Sequence, residues 1–301
     1  MHAGGPCPDL IALMRLSVII STYNQPRFLE LVLCGYSVQT RRDFEIVIAD
    51  DGSGPETAEV IERARRELGL SIRHVWHEDR GFRKCEILNR AILEAEGDYL
   101  LFTDGDCIPR KDLIETHMRL AAPERFIAGG YLKLPAAVSE AVDEEAVRSG
   151  AVTDLRWLRA RGWRPGRRAL RLVRSHRLGA LFDLVTPTRT HFHGNNSSTW
   201  RAAIEAVNGF DQEMGYGGLD RGIGYRLENY GIKGVQARHR AVCMHLHHER
   251  PYRDAAVLRR NREILDRIRR TGETRARRGL AELRAGAAEQ GAASPGNREE
   301  P

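Results

Sequence analysis

Two aspartates separated by a single glycine, Asp104 and Asp106, are the residues whose types and spacing most clearly allow chemistry. They follow the apolar run Tyr99–Phe102, which is short enough for a strand buried on both faces. In open α/β sheets, ligands bind at the carboxyl ends of such strands. Two carboxylates held this close repel each other unless a cation or a shared proton relieves them. The loop is therefore either an acidic turn that ends a strand or a site for a divalent metal ion.

A second acidic pair, Asp50 and Asp51, follows the predicted strand Phe44–Ala49. A carboxylate at this position can accept a hydrogen bond from an imide N–H or a ribose hydroxyl, and it can equally cap the next helix. The chain has no G-x-G-x-x-G after its first strand and no G-x-x-x-x-G-K-[ST] motif. The glycine-rich phosphate cradles of dinucleotide-binding and P-loop proteins are thus not indicated.

Three histidines, His245, His247 and His248, lie at the end of the predicted strand Gly234–His245. Imidazole is a suitable ligand for Mn²⁺, and a strand places His245 and His247 on the same side. We therefore expect these two histidines to be metal ligands, the alternative being a structural or exposed role.

Strands and helices alternate through the first half of the chain, which predicts a Rossmann-like, mostly parallel sheet flanked by helices. The acidic loops then share one edge of this sheet. The predicted strands are Leu16–Ser21, Phe44–Ala49, Ser71–Trp76, Tyr99–Phe102, Phe126–Leu134 and Gly234–His245. The predicted helices are Phe28–Gln39, Glu56–Leu68, Cys85–Glu94, Leu113–Leu120, Arg201–Val207 and Arg221–Tyr230.

The composition is that of a globular protein, with 42% hydrophobic and 29% charged residues among 301. Five scattered cysteines without C-x-x-C spacing argue against a disulfide framework or a zinc knuckle, and we expect a cytoplasmic location. The net charge of +6 is concentrated in two arginine-rich stretches, 156–177 and 250–278, which should meet something anionic. Motifs that read nucleic acid are not present, so we expect no nucleic-acid partner.

Four motifs follow one another in the first half: STYNQP (Ser21–Pro26), IADDGS (Ile48–Ser53), DRGFRKCEILNRA (Asp79–Ala91) and DYLLFTDGDCIP (Asp98–Pro109). Together they resemble the nucleotide-sugar-binding half of the family 2 glycosyltransferases, which have the GT-A fold. Two later motifs are GNNSSTWRAAIEAVNGFDQEMGYGGLDRGIGYRL (Gly194–Leu227) and VCMHLHH (Val242–His248). They are similar to the galactosyltransferase-type C-terminal region of bacterial chondroitin-type polymerases and animal β-1,4-galactosyltransferases.

The resemblance implies an inverting transferase that uses a nucleotide-diphosphate donor, expected to be UDP-linked, and a divalent ion, Mn²⁺ or Mg²⁺. It implies that Asp104 contacts the ribose or donor sugar, that Asp106 binds the metal, and that His245 is the first choice among the histidines. The remaining donor-side residues by resemblance are Thr22, Tyr23 and Asn24 beside the nucleoside, Asp50 or Asp51 on the base, and Arg83 and Lys84 near the diphosphate.

On the acceptor side, the resemblance makes Asp220 the catalytic base, with an ordinary helix N-cap as the alternative role. The family has a Gly-Gly-Glu-Asp loop, and this chain has Leu219 in place of the glutamate, which removes an acid expected to orient the acceptor. Tyr216 would offer an aromatic face to a sugar. Asn195 and Asn196 would hydrogen-bond sugar hydroxyls, unless they only form a turn.

Six segments are expected in the chain: an N-terminal extension (1–14), a nucleotide-sugar-binding half (15–135), a mobile basic insert (136–192), an acceptor-side subdomain of galactosyltransferase type (193–250), an arginine-rich helix (251–284) and a disordered tail (285–301).

The function predicted from the sequence is metal-dependent glycosyl transfer to a glycan or lipid-linked acceptor in surface polysaccharide biosynthesis. A basic amphipathic helix near Val257–Arg270 would allow peripheral contact with an anionic membrane at its inner face. Two alternatives remain open: a nucleotidyltransferase that makes the sugar nucleotide, and a non-catalytic relative that binds nucleotide or glycan.

Overall fold

The computed structural model describes residues 14–249 and 254–292, where eight strands form a single sheet. The strands are β1 (Leu16–Thr22), β2 (Phe44–Asp50), β3 (Ile72–Trp76), β4 (Tyr99–Asp104), β5 (Cys107–Pro109), β6 (Arg125–Lys133), β7 (Asn196–Trp200) and β8 (Lys233–His245). Their order across the sheet is β3-β2-β1-β4-β7-β6-β8-β5.

Twelve α-helices surround this sheet in the described part of the chain. They are α1 (Pro26–Ser37), α2 (Pro55–Leu68), α3 (Lys84–Glu94), α4 (Leu113–Leu120), α5 (Ala136–Glu140), α6 (Glu144–Ser149), α7 (Leu155–Ala160), α8 (His176–Val185), α9 (Arg201–Ala206), α10 (Leu219–Tyr230), α11 (Ala255–Thr271) and α12 (Leu280–Ala292). None of the described helices is long and apolar enough to cross a membrane.

The pairing of the strands brings the predicted acidic loops together. β1 lies between β2 and β4 and is parallel to both. Thr22 pairs with Asp50, and Ser21 pairs with Asp104, so the three strands end side by side. β7 and β5 are antiparallel to their neighbours, whereas β6 and β8 are parallel to each other. The predicted α/β architecture with a mostly parallel sheet is confirmed.

Buried strands without polar alternation explain why helices cover both faces of the sheet. All seven residues of β1 are buried, and successive side chains of a strand point to opposite faces. Val18 and Ile20 accordingly belong to one apolar cluster, and Ile19 belongs to the other. Full burial of each such side chain contributes about 1.5–3 kcal/mol to folding.

The segment 136–192, expected to be a mobile insert, folds into α5 to α8 and two 3₁₀ helices, Ala151–Thr153 and Arg167–Leu172. The side chain of Asp154 caps α7 by accepting hydrogen bonds from two backbone N–H groups. Leu158 and Trp163 are buried in the cluster that covers one face of the sheet. Helices this short give too few turns for apolar periodicity to be recognised in the sequence.

At the C-terminus, α12 continues to Ala292, although disorder was expected from residue 285 onward. Residues 285–292 are mostly Ala, Glu and Gln, which are strong helix formers and favour a helix over a coil. The rest of the predicted tail, 293–301, lies outside the described residues, as does all of the N-terminal extension except Met14.

Candidate functional site

A cavity of about 980 Å³ lies where the sheet edge meets the C-terminal half. Its walls come from the end of β1, the loop after β4, the N-terminus of α10 and the residues that follow β8. Thr22, Asp104, Asp220 and His245 all line it. The fold thus brings the two predicted halves of the site to one cavity.

The structure distinguishes the two neighbouring acids at the end of β2. Asp50 is 1% exposed and does not line the cavity. Its Oδ1 accepts a hydrogen bond from the backbone N–H of Ser53 at 2.8 Å, and its Oδ2 lies 2.9 Å from Nε2 of His74. Asp50 therefore holds the loop in shape and is not placed to contact a ligand.

Asp51, by contrast, lines the cavity together with Thr22, Tyr23 and Asn24. Its Oδ1 lies 2.7 Å from Nε2 of His77, and its Oδ2 accepts a hydrogen bond from the backbone N–H of Arg83 at 3.0 Å. Burial raises the pKa of the Asp51 carboxyl, and these two contacts oppose that effect only in part.

A partly buried ion pair lines the cavity. The ammonium of Lys84 is 2.6 Å from Oδ1 of Asp104, which also accepts a hydrogen bond from Ser21 at 2.7 Å. Burial disfavours the charged amine, but Asp104, followed by Asp220, outweighs it and holds the pKa of Lys84 above its ordinary value. Arg83, predicted at the diphosphate, does not line the cavity and donates to the carbonyl of Glu78. Lys84 therefore supplies the positive charge here.

Asp106, His245 and His248 form a group whose ligand atoms lie within 4.8 Å of one another. Nε2 of His248 is 2.9 Å from Oδ2 of Asp106, and Nε2 of His245 is 3.8 Å from the same oxygen. β5 and β8 bring the group together, because Cys107 pairs with His245 across the two strands.

The predicted pairing of His245 with His247 as ligands is not what the structure shows. β8 ends at His245, so the alternation that would place both side chains on one side stops there. His247 is exposed, its backbone N–H donates to Ser139 at 2.9 Å, and it does not line the cavity. His248 takes the place that we expected for His247.

The hydrogen bonds of the two histidines fit a metal ion. Nδ1 of His245 lies 2.7 Å from the carbonyl oxygen of Leu246, and Nδ1 of His248 lies 2.8 Å from that of Glu249. A carbonyl oxygen accepts a hydrogen bond, so Nδ1 of each ring carries a proton, and each Nε2 faces Asp106 with either a second proton or a bound cation. One carboxylate and two imidazoles suit Mn²⁺. The residues present therefore fit the ion.

Asp220 stands at the first turn of α10, on the cavity wall. Its Oδ1 is buried and has no hydrogen-bond partner among the described residues. Burial raises the pKa of the carboxyl, Lys84 lowers it, and Asp104 raises it further, with a net increase. Gly194 packs against Asp220, because a Cβ at Gly194 would lie 2.5 Å from Oδ1. The site thus holds a carboxylate whose proton affinity is increased and which has an unused acceptor atom.

The loop before Asp220 depends on two glycines and on a residue that the sequence did not reveal. Gly217 and Gly218 have φ values of +97° and +95°, which disfavour residues with a Cβ. The side-chain amide of Asn261, on α11, donates to the carbonyls of Gly215, Tyr216 and Gly217 at 3.0, 3.1 and 2.7 Å. No local motif marks Asn261, because its partners are distant in the sequence.

Leu219 and Tyr216 lie on the same cavity wall. Leu219 is 7% exposed and packs in the same apolar cluster as Ile19, so an apolar group occupies the position of the expected glutamate. The ring of Tyr216 meets that of Phe82 edge to face, with centroids 5.7 Å apart. Phe82 is therefore a further aromatic wall that sequence reasoning missed.

The two predicted asparagines have different environments. Asn195 lines the cavity, and its Oδ1 is buried without a hydrogen bond among the described residues. Asn196 is 1% exposed and does not line the cavity. Its Nδ2 donates to the carbonyls of Gly130 and Ala241, and its Oδ1 lies 2.8 Å from Nε2 of His117. The acceptor-binding role predicted for Asn196 is thus replaced by a structural one.

Three further cavity residues, Tyr131, Lys133 and His193, were absent from the sequence prediction. Lys133 pairs with His245 across β6 and β8, and the ring of Tyr131 lies 6.1 Å from the rings of both His193 and His245. For Tyr131 and Lys133, only the register of these two distant strands could have revealed this position.

Comparison with known proteins identifies this arrangement. Residues 17–134 match the family model described as Glycosyl transferase family 2. Residues 17–134 belong to glycosyl transferase family 2. This range contains all of β1 except Leu16, β2 to β4 and the acidic loop at Asp104, and so covers the part of the cavity formed by Thr22, Asp51 and Asp104.

The chain is 31% identical over 243 residues to validoxylamine A glucosyltransferase from Streptomyces hygroscopicus subsp. jinggangensis. The match covers 74% of this chain and 53% of that protein, so the chain spans about half the length of this curated relative.

Two solved structures share the GT-A fold of this chain. S. aureus TarS 1–349, in complex with UDP-GlcNAc, has a TM-score of 0.55 at 16% identity, covering 89% of this chain and 69% of that one. The mannosyltransferase PcManGT from Pyrobaculum calidifontis, in complex with GDP-Man and Mn²⁺, has a TM-score of 0.53 at 19% identity, covering 94% and 76%.

Proposed function

We propose that this protein is a metal-dependent, inverting glycosyltransferase that moves a sugar from a nucleotide diphosphate, with UDP as the nucleotide, to a hydroxyl group. One observation carries this proposal: the Asp106–His245–His248 group and the carboxylate of Asp220, whose Oδ1 is buried, line the same cavity. A donor diphosphate bound at the Asp106–His245–His248 group and an acceptor hydroxyl bound at Asp220 would place the reacting sugar between them.

On the donor side, Asp51 accepts from the base, while Thr22, Tyr23 and Asn24 surround the nucleoside. Thr22 supports this role because its Oγ1 is buried without a hydrogen bond among the described residues. Asp104, fixed by Lys84 and Ser21, turns toward the ribose or donor sugar. The donors present in the TarS and PcManGT complexes, UDP-GlcNAc and GDP-Man, support a nucleotide sugar as the class of substrate.

The diphosphate lies beside the metal group and Lys84. A bound divalent ion, Mn²⁺ or Mg²⁺, would neutralise the charge that accumulates on the leaving diphosphate. Asp106, His245 and His248 would hold it. The ammonium of Lys84 remains charged at neutral pH, because its raised pKa keeps the proton, and it stabilises the same leaving group.

On the acceptor side, Asp220 accepts the proton of the attacking hydroxyl. The acceptor oxygen forms a bond to the anomeric carbon on the face opposite the diphosphate, and the bond from that carbon to the diphosphate oxygen breaks. A single displacement inverts the anomeric centre, and one carboxylate of raised pKa is sufficient as the base. Asn195 and the Tyr216 ring border the acceptor, with Leu219 as an apolar wall in place of an acid.

The biological setting that we propose is surface polysaccharide or lipid-linked glycan synthesis near an anionic membrane. α11, the helix expected to contact the membrane, buries Asn261, Ile264 and Ile268 against the protein instead. α8 is the better candidate, because Leu181 and Leu184 are 50% and 82% exposed on it. Sedimentation with vesicles of phosphatidylglycerol, comparing wild type with L181Q/L184Q, tests this contact: equal sedimentation of both proteins would refute it.

The proposed activity is tested with a panel of UDP-sugars, GDP-mannose as the alternative nucleotide, and Mn²⁺. We expect transfer or slow donor hydrolysis with a UDP-sugar, and the new linkage should be of the opposite anomeric configuration by NMR. Pyrophosphate released from a nucleoside triphosphate and a sugar phosphate would indicate the nucleotidyltransferase instead. Nucleotide binding without turnover of any donor would indicate the non-catalytic relative, and absence of both would refute the proposal.

A further inference from the structure

A second cavity of about 270 Å³ adjoins the donor cavity, and Tyr131, Lys133 and His193 line both. Its remaining side chains are arginines: Arg168 and Arg171 from the 3₁₀ helix Arg167–Leu172, and Arg238 from β8. It is much smaller than the donor cavity and is suited to one charged group rather than a second nucleotide.

A bulge in β8 places Arg238 at this cavity. Gly129 pairs with Ala237, but the next residue, Gly130, pairs with Val242, so the four intervening residues leave the regular ladder. Gly130 permits the bulge, because a Cβ there would lie 2.1 Å from the carbonyl oxygen of Arg238. The bulge is therefore a built feature of the sheet rather than a loose loop.

Among the described residues, the arginines near the bulge differ in whether an acid neutralises them. Asp183 of α8 accepts hydrogen bonds from the backbone N–H of His239 at 2.9 Å and from Nε of Arg240 at 2.7 Å. Arg238 bonds only the amide oxygen of Gln236, at 3.3 Å, and Arg171 donates to the carbonyl of Tyr131. The charge of Arg240 is thus compensated, whereas the charges of Arg238 and Arg171 are not.

The uncompensated positive charges of Arg171 and Arg238 repel each other. Burial lowers the pKa of the Arg171 guanidinium, and the nearby Arg238 and Arg168 lower it further. Burial also lowers the pKa of His193 to about 4, so this ring is neutral at pH 7 and adds no charge of its own. An anion between Arg171 and Arg238 would relieve the repulsion, and guanidinium groups bind oxyanions with two parallel hydrogen bonds.

We propose that Arg171 and Arg238, with Lys133 and Arg168 at the rim, bind an oxyanion carried by the acceptor, a phosphate or a carboxylate. This inference rests on the proposed function, because it assigns the donor to the larger cavity. His193 of the shared wall adjoins Gly194, which packs against Asp220, so the charged group would lie on the same side of the cavity as the proposed base. The acceptor class is accordingly an anionic glycan or a phosphorylated alditol or lipid, rather than a neutral sugar.

The first test is calorimetric titration with inorganic phosphate, and separately with acetate, of protein saturated with UDP and Mg²⁺. We expect saturable phosphate binding by wild type, at least a tenfold loss in R171Q/R238Q, and no loss in R167Q, which removes an exposed arginine of the same 3₁₀ helix that does not line the cavity. If the double variant does not fold, R238Q alone is titrated in its place. Tighter binding of phosphate than acetate identifies the group as a phosphate, and the reverse identifies a carboxylate.

The second test compares matched acceptors, an alditol with its phosphate and a hexoside with its uronic acid. We expect R171Q/R238Q to raise KM at least tenfold for the anionic member of the preferred pair, with kcat and UDP affinity unchanged. Equal phosphate binding in wild type and R171Q/R238Q, an adventitious ion only, would overturn the inference, as would wild-type preference for neutral acceptors. Failure to bind UDP would instead refute the donor site, and the two failures are therefore distinguishable.

Discussion

Nε2 of His248 lies 2.9 Å from Oδ2 of Asp106, which joins the residues after β8 to the acidic turn after β4. Asp106 is 7% exposed, and its hydrogen bonds and ion pairs among the described residues come from two histidines and the thiol of Cys107. In the described part of the chain, no arginine or lysine forms an ion pair with this carboxylate. A divalent ion or protonated imidazoles would compensate its charge.

We expect His248→Ala to weaken Mn²⁺-dependent UDP binding by about tenfold or more, because it removes an imidazole from the proposed metal ligands. His247→Ala is the matched control and should leave this binding unchanged, since His247 is exposed and outside the cavity. Calorimetry of UDP binding with and without Mn²⁺ measures both. Equal losses in the two variants, or a loss only in the second, would contradict the assignment.

We expect Asp220→Asn to lower kcat by ~10²–10⁴, the usual contribution of a positioned general base. UDP affinity should be retained, because Asp220 faces the acceptor in the proposed site. Asp98→Asn changes an exposed aspartate that does not line the cavity and should have little effect on either quantity. A D220N enzyme with wild-type turnover would require another base.

The pH dependence of turnover should show the environment of Asp220. Burial raises the pKa of this carboxyl, so its deprotonated form becomes available only above the pH at which an ordinary aspartate, with a pKa of about 3.9, loses its proton. Activity should therefore decline as pH falls, starting at a higher pH than an ordinary aspartate would give. The acid limb of kcat/KM measures this, with the pH profile of UDP binding separating the contribution of the metal group. An acid limb of kcat/KM that coincides with that of UDP binding would remove the support for Asp220.

Substitutions at Asn195 and Asn196 should have different effects: the first should lower transfer, and the second should lower stability. Asn196→Ala removes the partner of His117 and of two buried carbonyls, and leaving such groups unsatisfied costs about 1–3 kcal/mol in the free energy of unfolding. Its donor affinity should remain. Asn195→Ala should instead lower transfer to the acceptor with little change in stability. Urea unfolding and steady-state kinetics on both variants check this. Lost stability in N195A together with lost transfer in N196A would contradict the proposed position of the acceptor.

Local patterns were sufficient for the donor side of the site. The buried strands β1, β2 and β4 are continuous apolar runs, and parallel strands necessarily end at one edge of their sheet. The location of Asp104 and Asp51 at this edge follows directly from that rule. Sequence reasoning could not choose between Asp50 and Asp51, because the choice depends on whether His74 or His77 is near, and β3 and the loop after it decide that.

Contacts between distant segments decided the rest. His248 replaced His247 because β8 ends at His245, and the end of a strand depends on its neighbour β5 as much as on its own residues. Asn261 fixes the loop before Asp220 from another helix, and the bulge that places Arg238 appears only in the register between β6 and β8. The sequence by itself determined the α/β class and the acidic loops, because these follow from local periodicity and turn chemistry, and its resemblance to a known family indicated Asp220. The tertiary structure alone decided which residues form the proposed metal group and the basic cavity, because burial and hydrogen bonding there join residues that no local pattern connects.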